Sequence, residues 1–99
     1  MQIHFERSGG LAGIRLSQNV SAEGLSEDER KKLAELIEAA HFFELPPVLR
    51  TSGSGADQFQ YKISLESDQG KHEIQVDEAA MPAQLRPLVA WLQAAARKR

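Results

Sequence analysis

The chain has 99 residues, 41% of them hydrophobic, and its 12 basic and 14 acidic side chains leave a net charge of -2. That length suits one domain, residues 1–99, with one modest core, and so balanced a charge gives no positive field to gather phosphates, which argues against nucleic acid as a partner. Cysteine is absent, which removes disulfides, thiolate metal sites and cysteine nucleophiles and agrees with a reducing compartment.

The opening "MQIHFER" carries no apolar run of the kind a signal peptide needs, and no stretch is long enough to span a bilayer, so a cytoplasmic protein without membrane contact is predicted. "QIHFER" alternates, with Ile3 and Phe5 on one face and His4 and Glu6 on the other, and "GIRLSQ" repeats the pattern with Ile14 and Leu16 inside. Both read as half-buried strands. With Gly9 and Gly10 at the centre of a tight hairpin, Phe5 stands opposite Ile14 and Ile3 opposite Leu16.

Ser26 and Glu29 form a capping box, acidic residues follow, and Leu33, Leu36, Ile37 and Ala40 fall on one helical stripe, which predicts a helix over about residues 27–42. The proline pair in "HFFELPPVLR" is expected to end it, and "TSGSGADQ" reads as a flexible loop. From Phe59 the period returns to two, with Phe59, Tyr61, Ile63 and Leu65 on one face; "SDQG" is a turn of ambiguous register, and Ile74 and Val76 belong to a partner strand. The last segment, "MPAQLRPLVAWLQAAARKR", reads as a second helix with a stripe of Leu85, Leu88, Leu92 and Ala95, Trp91 at its border, and Pro82 or Pro87 in its first turn. Its cations Arg97, Lys98 and Arg99 suit the negative pole of a helix C-terminus.

The order strand, strand, helix, strand, strand, helix implies an α+β fold: a four-stranded antiparallel sheet with two helices packed on one face (ββαββα). Strand directions then gather three segments at one end of the sheet: the "SGGLAG" tip, the proline-rich loop, and the "DEAAM" connection with Asp77 and Glu78. The "SDQG" turn falls at the other end. The candidate partner-binding residues are therefore Ser8, Gly9, Gly10, Leu11, Ala12 and Gly13 at the tip, with Pro46, Pro47, Leu49, Asp77 and Glu78 beside it. Leu11 has the parity of Ser8, on the uncovered face, so the sheet core does not account for it; it either folds back over the rim or stands out as an anchor.

Catalytic chemistry finds little to work with. His4, His41 and His72 lie on separate elements, without the spacing of a zinc site, so no metal and no cofactor is expected. No serine sits in a strand-to-helix elbow, Ser26 already serves as a cap, and the adjacent Asp77 and Glu78 point apart in extended chain. "SGGLAG" is followed by neither a lysine nor a helix, so it is no phosphate loop. Phe42, Phe43, Tyr61 and Trp91 read as core rather than as a stacking platform. The chain is not expected to be an enzyme.

At "FERSGGLAGIRL", "LIEAAHFFELP", "FQYKISLE" and "LRPLVAWL" the sequence resembles the emfourin family, protealysin-associated protein inhibitors of thermolysin-type zinc metallopeptidases. The likeness runs from end to end. It implies an inhibitor without activity or cofactor of its own, whose partner is a thermolysin-like zinc metallopeptidase. Such peptidases prefer a bulky apolar residue just after the bond they cut, and "Gly10-Leu11-Ala12" looks like such a substrate. The resemblance thus favours Leu11 as an anchor, with the first hairpin's tip blocking the active-site cleft and the free chain a monomer. The alternative is a non-inhibitory interaction module that binds a regulatory partner.

Overall fold

The computed structural model describes residues 1–9, 15–50, 59–68 and 70–97. Strand β1 (Gln2–Gly9) and strand β2 (Leu16–Ser21) are followed by helix α1 (Glu27–Ala40), strand β3 (Val48–Leu49), strands β4 (Phe59–Ser67) and β5 (Gly70–Asp77), and helix α2 (Arg86–Arg97). The strands form one sheet in the order β2-β1-β4-β5-β3. Every pairing is antiparallel except that of β3 with β5, which is parallel. The α+β class and the two helices stand as expected; the sheet is five-stranded and mixed rather than four-stranded and antiparallel. The added strand is two residues long, too short to show any period, and its pairing is set by the open edge of β5 rather than by its own sequence.

Alternation builds the sheet's inner face. Ile3 and Phe5 of β1, Val20 of β2, Tyr61, Ile63 and Leu65 of β4, and Ile74 and Val76 of β5 are all buried. Leu33, Leu36 and Ala40 from α1 and Leu85, Leu88, Val89 and Leu92 from α2 close over them in a single cluster, with Ile37 and Trp91 half-buried at its margin. Both helices thus cover one face, and among the described residues no helix covers the other, which carries Gln2, His4, Glu6, Lys62 and Glu73.

The capping box of α1 is formed as read: the Glu29 backbone N–H donates to Ser26 Oγ at 3.1 Å, and the Ser26 N–H to Glu29 Oε1 at 3.0 Å. The helix ends earlier than predicted, at His41, whose left-handed backbone (φ 51°) turns the chain before the prolines are reached. His72 Nε2 then donates to the Leu45 carbonyl at 2.8 Å and fastens this connection to β5. In α2, Pro87 occupies the first turn, where its missing N–H leaves no bond unmade.

The first hairpin departs most from expectation. Ile3 pairs with Val20, Phe5 with Gln18 and Arg7 with Leu16, a slide of four residues along β2 from the register drawn for a Gly9-Gly10 turn. Gly9 is no turn centre; it ends β1 opposite Phe59 of β4. A slide by an even number of residues keeps every side chain on its face, so the apolar pattern that identified the faces could not choose between the two registers. Gly10, Leu11, Ala12, Gly13 and Ile14 lie outside the described residues, as do the "TSGSGADQ" segment, Gln69, Lys98 and Arg99.

Candidate functional site

The pairings bring several of the anticipated elements to one end of the sheet. Gly9 faces Phe59, Gln60 faces Asp77, and Leu49 faces Val76. β1 and β5 run toward this end, β2 and β4 start from it, and Ser67 pairs with Gly70 at the opposite one. Gly9 has φ 94°, a conformation glycine adopts at little cost, and here the chain leaves β1 toward residues 10–14.

The individual residues differ in how free they are. Ser8 is half-buried on the open face opposite Gln60. Leu49 is half-buried against the core. Pro46 and Pro47 are exposed, but the Pro47 carbonyl accepts from the Gln75 N–H at 2.9 Å, which sets the pair level with the middle of β5 rather than with its end. Glu78 is exposed, whereas Asp77 is 4% exposed. Gly10, Leu11, Ala12 and Gly13 lie outside the described residues.

Two features of this end were not anticipated. Arg7 occupies an inward position at the tip-side margin of the core, with its Cζ 4.5 Å from the centroid of the Phe59 ring and its Nε buried without a hydrogen-bond partner. A charged residue continuing the parity of Ile3 and Phe5 was the signal for it in the sequence. On the open face, a groove of about 150 Å³ is lined by Glu6, Ser8, Arg50, Gln60, Lys62 and Asp77 among others. Glu6 bonds Arg15 at 3.4 Å and Lys62 bonds Glu73 at 3.5 Å, so two of its charges have partners within the chain.

Among the described residues, no group of three or more His, Asp or Glu side chains could hold a metal ion, and no helix is long and apolar enough to cross a membrane. The histidines serve structure: His4 Nδ1 donates to Asn19 Oδ1 at 2.6 Å, His41 ends α1 with Glu44 3.5 Å away, and His72 stacks edge-on against Phe42. The family model of emfourin matches residues 5–93, and the chain belongs to the emfourin family. Emfourins are peptidase inhibitors, not enzymes.

A solved structure similar to this chain is that of emfourin (M4in) from Serratia proteamaculans, an M4 family peptidase inhibitor. It is 20% identical over 91% of this chain and 84% of that one, with a TM-score of 0.44, and family membership rests on the match over residues 5–93 instead. No curated protein matches the chain.

Proposed function

We propose that this protein inhibits a thermolysin-type zinc metallopeptidase, acting as a monomer that sets the connection between β1 and β2 into the active-site cleft. Membership in the emfourin family over residues 5–93 is the observation that carries the reading. The sheet end supports it: β1 and β4 hold Gly9 in place beside Phe59, so a segment leaving from there starts from a fixed base. Within that segment Gly10-Leu11-Ala12 offers a bulky apolar side chain beside a glycine.

One leucine cannot make an inhibitor. Its burial contributes about 1.5 to 3 kcal/mol, whereas nanomolar binding needs about 12 kcal/mol, so the rest comes from a preformed surface of roughly 800 Å² on each partner. Ser8, Gly9 and Glu78 at the sheet end and Pro46 and Pro47 along its edge are its expected parts, with the half-buried Leu49 and the groove-lining Asp77 beside them. The test is the rate of peptide cleavage by a thermolysin-type peptidase with added protein. We expect the apparent KM to rise at constant kcat, Leu11→Ala to weaken inhibition by about 1 to 3 kcal/mol, and Leu11→Asp to weaken it further at unchanged melting temperature. Unaltered turnover at micromolar protein overturns the reading, and full inhibition by Leu11→Asp removes the anchor.

A further inference from the structure

Among the described residues Asp77 is the one buried charged side chain, 4% exposed. Its register, opposite Gln60 and next to the core residue Val76, assigns it to the open face, where an exposed aspartate would be ordinary. It also stands at the residue before the short turn Glu78–Ala80, where an aspartate ordinarily caps the free N–H groups, yet its side chain makes no capping bond. No hydrogen bond or ion pair joins its carboxylate to any described residue.

The oxygens of Asp77 are not sealed from water: they meet it only through the groove, so a cation entering there would exchange that water for a charge partner. The charges around Asp77 are otherwise engaged: Glu6 with Arg15, and Lys62 with Glu73. Arg50 also lines the groove but is exposed and forms no ion pair with Asp77. The groove's volume of about 150 Å³ is too small for a drug-sized ligand, which occupies roughly 300 Å³ or more. It suits the head of one long side chain.

We propose that this groove receives a basic side chain, arginine or lysine, of the inhibited peptidase, with Asp77 as its counter-charge. The proposal rests on the inhibitor reading above for the identity of the partner, but not for the existence of the site. It gives the interface a charged contact on the open face, beside the apolar contact expected of Leu11.

The site is tested first without any peptidase, by titrating the ¹⁵N-labelled protein with methylguanidinium chloride and, separately, with methylurea and sodium chloride at matched concentration. Saturable shifts are expected at the amides of Gln60, Gln75 and Asp77 with methylguanidinium only, and their loss in Asp77→Asn. Shifts that do not saturate, or that persist in Asp77→Asn, overturn the site. Against a peptidase that the unsubstituted protein inhibits, Asp77→Asn should raise the inhibition constant at least tenfold, with a melting temperature no lower than before, while Glu66→Gln at the other end of β4 changes neither. A saturable site combined with unchanged inhibition by Asp77→Asn overturns the assignment to the peptidase. Should the unsubstituted protein inhibit nothing, the functional reading fails while the titration still decides the groove.

Discussion

The two antiparallel hairpins are built from similar strands and close in different ways. In the β4–β5 hairpin Ser67 pairs with Gly70, so two residues make the turn, and Gly70 takes φ 130° to accomplish it. In the β1–β2 hairpin the last pair among the described residues is Arg7 with Leu16, and residues 8–15 lie between them in the chain. Eight residues in place of two are two doublings of loop length, which costs roughly 1.2 kcal/mol of closure entropy. The pairing of Ser8 and Gly9 with β4 offsets part of that cost. The short turn serves the sheet, and the long one is the segment that the proposed inhibition uses.

The comparison breaks most plainly if residues 8–15 are replaced by Asn-Gly. The Ala22 N–H donates to the Met1 carbonyl, and the antiparallel alternation then makes Arg7–Leu16 a hydrogen-bonded pair, the kind that a two-residue turn closes. The recovered closure entropy offsets the lost pairing of Ser8 and Gly9 with β4, so the melting temperature should move by no more than a few degrees. Inhibition should fall by more than a hundredfold. A shortened protein that still inhibits would place the contact surface elsewhere, and one that unfolds would show the long connection to be structural. The reciprocal change is Gly70→Ala. Open space surrounds that position, but its φ of 130° strains any residue with a Cβ, so about 1 to 2 kcal/mol of stability should be lost in urea denaturation while inhibition of the folded fraction stays the same.

The same pair of hairpins shows how far the sequence could be read. Phe59, Tyr61, Ile63 and Leu65 alternate without interruption into a tight turn, so face and partner strand were both legible, as was the capping box at Ser26 and Glu29, because these signals lie within a few residues of one another. The register of β1 on β2 was not, since sliding Ile3 from Leu16 to Val20 leaves every side chain on its face. His41 ends α1 through a left-handed backbone that its residue type does not announce, and Val48–Leu49 is a strand only because β5 offers it an edge. The gathering of Gly9, Phe59, Leu49 and Asp77 at one end followed from strand directions, which survive an error of register. The burial of Asp77 did not follow, because parity alone assigns it to an open, polar face where side chains are ordinarily solvated.

The smallest expected effect concerns Arg7, the side chain at the root of the long connection. Its guanidinium over Phe59 gains about 0.5 to 2 kcal/mol, while a buried nitrogen without a partner costs about 1 to 3 kcal/mol, so the two nearly cancel. Arg7→Met keeps the long apolar stem, lies flat on the same ring and removes the unpaired nitrogen. Its stability in urea should therefore stay within about 1 kcal/mol of the parent. On the other hairpin the Lys62–Glu73 ion pair, 3.5 Å long and about two-fifths exposed on each side, should matter as little when Glu73 becomes glutamine. If Arg7→Met instead lost 2 kcal/mol or more, the cation over Phe59 would be what holds the base of the long connection, and that base would be as much a part of the fold as the tight turn at Gly70.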